Sequence, residues 1–249
     1  EAVKATEGPV LIFAGAGSGK TKCLTHRLAY ILEQKLASPD QILAITFTNK
    51  SAGELAHRIL KLLGQEEVLE RKHSQLAIRR LLPWVGTFHS ICVRILRREA
   101  GNIGLNPNFT IYDSDDTLSL IRRILKDLNL DSKQYLPQAI RSIISSAKNE
   151  LLTPEQYAPY AQGHFQGVAL ELYKKYQAEL NKVGGLDFDD LIMTTVKMLE
   201  ADNGIRAKYQ RLFCYIMIDE YQDTNHAQYR LTALLTNPSS RNLCVVGDD

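Results

Sequence analysis

The sequence predicts an α/β fold, a parallel sheet flanked by helices with an all-helical subdomain inserted into it. Five short apolar runs are spread along the chain, and the segments between them repeat apolar residues at helical spacing. From residue 104 to 186 strand-like runs nearly vanish while the helical spacing persists. With 45% apolar residues, 249 residues suffice for one large domain or two smaller ones.

The first run, "VLIFA" at 10–14, reads as a buried parallel strand. Behind it Leu24, Leu28, Ile31 and Leu32 recur at i, i+4, i+7 and i+8, one face of a helix packed on the sheet. "ILAITF" (42–47) is the second strand, followed by the same arrangement in Leu55, Ile59, Leu62 and Leu63. The charged stretch 64–80 reads as a solvated helix with a connection, and "WVGTF" (84–88) as the third strand. In the helical block, Asp113 or Ser114 caps a helix whose predicted stripe is Leu118, Ile121, Leu125 and Leu128. Pro154 and Pro159 interrupt the pattern, "ALELYKKYQAEL" resumes it, and Gly184 and Gly185 close the block. Its tyrosines (Tyr135, Tyr157, Tyr160, Tyr173, Tyr176) read as packing residues. "YIMI" (215–218) and "LCVV" (243–246) complete the sheet, so the expected division is 1–103 and 187–249 for the sheet domain and 104–186 for the insert.

Thirty Lys and Arg against 28 Asp and Glu leave a net charge of +2, so nucleic-acid binding has to come from a local groove and not from a basic body. Four scattered cysteines without metal-ligand spacing fit a reducing cytoplasm, and no apolar stretch reaches the length of a membrane span. Glu1 in place of a start methionine, and a stop directly after a strand-like run, read as a piece of a longer protein.

The chemistry starts at "AGAGSGKT". Gly15, Gly17 and Gly19 let the backbone curl so that successive N–H groups point at phosphate oxygens, and the helix beginning at Lys20 adds its positive end. Ala14, Gly15, Ala16, Gly17, Ser18, Gly19, Lys20 and Thr21 are the expected phosphate-binding residues. Ala14 stands where the strict pattern has glycine, but it ends a strand and needs no unusual backbone angles. Lys20 can reach the outer phosphates of ATP, and the Thr21 hydroxyl can hold Mg2+. Hydrolysis needs a second part, which "YIMIDEYQDTN" supplies at the end of a strand. Asp219 is placed to steady Mg2+, Glu220 to polarise the attacking water, and Gln222 to sense the γ-phosphate. An acidic pair in this position also serves as a helix cap, and its distance from the phosphate loop is what gives it meaning.

"AGAGSGKT", "TFTNKSAGELAHR", "GTFHSICVRILR", "DEYQDTN" and the final "GDD" resemble, in order, the first motifs of the UvrD/PcrA/Rep family of superfamily 1 DNA helicases. The resemblance runs from one end of the chain to the other and implies a RecA-like P-loop NTPase domain. It also implies ATP-driven movement on single-stranded DNA, generally 3' to 5', with unwinding at a duplex junction. Phe47 resembles the aromatic on which a base stacks, with Thr46, Asn49 and Lys50 beside the strand, while Thr87 and His89 match a motif that touches sugar and phosphate. Without the resemblance, Phe47 reads as the end of a buried strand and His89 as a cap or core residue. Ser51 departs from the usual alanine. The family's adenine-recognising glutamine, the rest of the motif that opens with "GDD", and the second RecA-like domain with its arginine all fall outside these residues. A helicase subunit of a helicase–nuclease of the RecB or AddA kind, or a non-hydrolysing nucleotide- or DNA-binding module, are the alternative readings.

Overall fold

A computed structural model describes residues 1–13, 15, 19–70, 74–82 and 84–248. In chain order the elements are β1 (Val10–Phe13), α1 (Lys20–Glu33), β2 (Ile42–Thr46), α2 (Asn49–Leu62), α3 (Glu67–Glu70), α4 (Ser74–Leu81), β3 (Val85–Thr87) and α5 (Phe88–Glu99). There follow β4 (Ile111–Tyr112), α6 (Ser114–Asp127), α7 (Pro137–Asn149), α8 (Pro154–Tyr157), α9 (His164–Lys182), β5 (Leu186–Asp187), α10 (Phe188–Ala201), α11 (Asn203–Leu212), β6 (Tyr215–Ile218), α12 (His226–Leu235) and β7 (Leu243–Gly247). They fall into two compact units, one comprising Glu1–Ile91, Leu199–Thr224 and Leu231–Asp249, the other Cys92–Met198 with Asn225–Arg230.

The first unit is built on a parallel sheet in the order β1-β7-β6-β2-β3. Strands β2 and β6 lie inside it and every residue of both is buried, which explains their unbroken apolar sequence. Leu24, Leu28 and Ile31 of α1 and Leu55, Ala56, Ile59 and Leu60 of α2 pack with Ile42, Ala44, Met217, Cys244 and Val246 into one core. Each leucine, isoleucine, valine or methionine among them contributes on the order of 1.5–3 kcal/mol by leaving water. The stripe of α2 is turned from its expected position, since Leu62 is 39% exposed and Leu60 is buried. β1 is an edge strand and buries only Val10 and Ile12 in part, leaving Leu11 and Phe13 more than half exposed.

Two predicted strands are shorter than expected. Phe47 lies beyond β2 because Thr48 already caps α2, its side chain accepting from the Ser51 N–H at 3.0 Å. Trp84 precedes β3; its carbonyl accepts from the Ala44 N–H of β2 at 3.0 Å, and its ring lies edge-on to Tyr209 at 6.3 Å and Phe213 at 5.0 Å, filling a core. The stretch 64–80 carries α3 and α4, with 71–73 outside the described residues.

The second unit is mainly helical. Its core joins α6, α7 and α9 through Leu120, Ile121, Ile124, Leu125, Ile140, Ile144, Leu172 and Tyr176. Asp113 caps α6 by accepting from the Asp115 and Asp116 N–H groups, as expected, but the buried stripe is Thr117, Leu120, Ile121, Ile124 and Leu125. Leu118 and Leu128 lie at its margins and are only partly buried. A two-residue parallel ladder, β4 with β5, went unforeseen because two residues carry no periodicity. Tyr135, Tyr173 and Tyr176 are buried, whereas Tyr160 is 65% exposed.

Inside this unit lies a fully buried cation. Lys148 Nζ sits 2.7 Å from Asp187 Oδ2 and 2.8 Å from Asp190 Oδ1, and the Tyr176 hydroxyl donates to Asp187 Oδ2 at 2.8 Å. The two aspartates also cap α10, the Asp190 N–H donating to Asp187 Oδ1 at 2.7 Å. Burial pushes the Asp190 carboxyl up to about 6 against the pull of Lys148. For Asp187, burial is outweighed by the charge and hydrogen bond of Lys148, which hold the carboxyl below its ordinary value. Among the described residues no helix is long and apolar enough to cross a membrane.

Replacing Lys148 by methionine leaves two carboxylates facing each other without a cation. Lys148→Met is expected to cost about 3–5 kcal/mol. The midpoint of chemical denaturation should fall accordingly, and adding Asp187→Asn and Asp190→Asn should recover most of the loss.

Candidate functional site

Because the strands of the first unit run parallel, the loops after β1, β2, β3, β6 and β7 leave from one edge of the sheet. The site is assembled from those loops. After β1 the chain passes through Gly15 and Gly19 into α1; Ala14, Ala16, Gly17 and Ser18 lie outside the described residues. Gly19 takes the N-cap position of α1 at φ 89°, a left-handed conformation that suits glycine. Lys20 and Thr21 therefore open α1, where the free N–H groups and positive helix end favour anions.

The Thr21 hydroxyl donates to Asp219 Oδ2 at 3.1 Å across 198 positions of sequence. Asp219 directly follows β6, is almost fully buried, and donates its backbone N–H to Ile45 O at 3.0 Å, prolonging the β6–β2 ladder. Burial pushes its carboxyl up, the Thr21 hydrogen bond opposes this, and the Glu220 charge adds to it. Thr21 and Asp219 thus present two hard oxygen donors side by side, a set that fits Mg2+, which keeps most of its waters in such sites. Among the described residues there is no cluster of three or more His, Cys, Asp or Glu able to hold a metal by itself.

Glu220 has φ 51° and ψ 45°, left-handed backbone that a glutamate adopts at a cost of roughly 1–2 kcal/mol. The chain turns sharply there into a short 3-10 turn, Tyr221–Asp223. Gln222 Nε2 donates to Glu220 Oε2 at 2.8 Å, and Gln222 Oε1 accepts from the Asp248 N–H at 3.0 Å. Lys20 in turn is paired with the Asp248 carboxylate, and only 8% of its side chain is exposed. Lys20, Thr21, Asp219, Glu220 and Gln222 are thereby joined by direct contacts or immediate sequence neighbours. Asp248, which links Lys20 to Gln222, carried no expected role; a carboxylate closing the strand beside β1 was the available signal.

The residues expected to meet nucleic acid stand after β2 and β3. These strands pair in a register that sets Thr46 beside Thr87. Both threonines are buried: Thr46 Oγ1 donates to Thr48 O at 3.1 Å, while Thr87 Oγ1 accepts from the Ser90 N–H at 3.3 Å. Phe47 and Phe88 follow as an edge-to-face pair with centroids 5.7 Å apart. Phe47 is half-buried, and Asn49 and Lys50 are exposed in the first turn of α2. His89 is half-buried in the first turn of α5, and burial lowers its pKa. Gly86 has no room for a side chain, since a Cβ would stand 2.4 Å from Ser90 Oγ.

Comparison with known proteins places this geometry in context. Residues 1–249 match the model of the UvrD/REP helicase N-terminal domain. The chain is 50% identical over 250 residues to the ATP-dependent DNA helicase PcrA of Bacillus subtilis, and 50% over 249 and 248 residues to proteins of that name from Staphylococcus aureus and Staphylococcus epidermidis. Each alignment covers 100% of this chain and 32% of the relative, so the chain spans about a third of their length. The parallel sheet, the helix opened by Gly19 and the strand-end carboxylates agree with that match, and the chain belongs to the UvrD/REP helicase N-terminal domain family.

Proposed function

We propose that this chain is the first ATP-binding region of an ATP-dependent DNA helicase that moves 3' to 5' on single-stranded DNA and unwinds duplex at a junction. The observation that carries this reading is the Thr21–Asp219 hydrogen bond, which unites the phosphate loop with the strand-end carboxylate. The unit built on the parallel sheet serves as the RecA-like domain and the mainly helical unit, Cys92–Met198 with Asn225–Arg230, as its insert, working in the cytoplasm.

In this mechanism the glycine loop from Ala14 to Gly19 receives the phosphates, and Lys20 adds its charge to the outer ones. Thr21 and Asp219 would hold Mg2+, which neutralises charge on the phosphates when bound. Glu220 accepts the proton of the attacking water, and its backbone turn together with Gln222 fixes where its carboxylate stands. Gln222, which shares its amide between Glu220 and Asp248, is the group that senses the γ-phosphate.

Thr46 and Thr87, buried and hydrogen-bonded, act on DNA by holding their loops, and Phe47, Asn49, Lys50 and His89 make the contacts. A half-buried ring supported by Phe88 is a firm stacking platform, and stacking accepts any base. Walking on DNA needs a second RecA-like domain that closes on the nucleotide and supplies an arginine to the transition state. The 249-residue chain alone binds ATP weakly and does not unwind.

Calorimetric titration with Mg-ATP tests the nucleotide site. Lys20→Ala should abolish measurable binding, whereas Glu220→Gln should retain it; in the longer helicase Glu220→Gln should lower turnover by about 100-fold or more. Undiminished DNA-stimulated hydrolysis in either variant overturns these roles. For the DNA contact, Phe47→Ala should weaken single-strand affinity by about 1–3 kcal/mol regardless of sequence. Fluorescence anisotropy on oligonucleotides of different composition reads this, with nucleotide affinity unchanged.

A further inference from the structure

The contact between Lys20 and Asp248 has a bearing on how phosphate enters the site. Lys20 is nearly buried at the start of α1, and its ammonium is paired with the Asp248 carboxylate, itself 38% exposed at the end of β7. β7 is the strand hydrogen-bonded to β1, with Phe13 in register with Gly247, so Asp248 directly follows the residue paired with the end of β1. Asp248 is not free to wander. Its N–H donates to Gln222 Oε1 at 3.0 Å, and the close approach of Gln222 depends on Gly247, where a Cβ would stand 2.9 Å from the same oxygen. Gln222 is held at its other end by Glu220 Oε2 at 2.8 Å.

We propose that the Asp248 carboxylate competes with nucleotide phosphate for the Lys20 ammonium, so that phosphate binds by exchange and Asp248 limits affinity for nucleotide. The inference rests on residues 10–21 and 219–222 forming the nucleotide site, as proposed above. Its physical content is that one ammonium cannot give its full charge to a carboxylate and to a triphosphate at once. Exchange releases the Asp248 carboxylate from Lys20 while the Asp248 N–H remains bonded to Gln222.

The test is a double-mutant cycle on the 249-residue chain, read as equilibrium affinity for Mg-ATP by calorimetry. Asp248→Asn keeps the backbone N–H for Gln222 and removes the competing charge. It should tighten binding by about fivefold, the scale of a partly exposed ion pair. Lys20→Ala binds too weakly for direct calorimetric titration, so its residual affinity is read by displacement of a fluorescent nucleotide at high ATP concentration, and there Asp248→Asn should change nothing. Tighter binding of equal size in both backgrounds would mean that a general charge effect is at work and overturns the exchange. Unchanged or weaker binding in Asp248→Asn overturns it as well, and assigns Asp248 to supporting the site. A folded wild-type chain that binds no ATP overturns the nucleotide reading itself, a result distinct from all of these.

Discussion

The common direction of five strands is the constraint from which the rest follows. A parallel sheet delivers every strand end to one edge, so residues nearly two hundred positions apart arrive together without any long-range signal in the sequence between them. The interior strands β2 and β6 make this rigid. Asp219 continues their ladder by one hydrogen bond to Ile45, and Thr46 and Thr87 stand at matched positions on β2 and β3. A slip of one residue in either pairing would turn these side chains to the opposite face.

What the sequence reveals best is what depends on local chemistry. The glycine at the N-cap of α1, the Asp113 cap and the apolar stripe of α1 each follow from residues within two turns of one another. Parallel-strand identity was also legible for β6, whose four residues are the four expected. Where the reading fell short, the cause is a partner distant in sequence. Trp84 looked like strand because it is apolar and adjoins one, but Tyr209 and Phe213 claim its ring. Leu118 has the spacing of a stripe, yet α7 and α9 meet α6 one position round, on Leu120 and Ile124.

Candidate site residues divide in the same way. Thr21 and Asp219 were recognisable singly, and their contact needed the fold. Asp248 lies in the final "GDD" that carries part of the resemblance, but its contacts with Lys20 and Gln222 needed the fold. The buried Lys148 was equally hidden, as a lysine on a helix with small polar neighbours reads as solvated. Only the arrival of β5 and α10 supplies the two carboxylates that make its burial tolerable. That arrangement ties α7 to the start of α10 through a buried ion pair.

In its proposed role, Glu220 sets function against conformational preference. Its backbone sits where a glycine would rest without strain, so a side chain is kept at a turn position whose geometry argues for having none. Substitution by glycine relieves the backbone while removing the carboxylate, and selection for a sturdier fold and selection for turnover would therefore choose opposite residues at the same place.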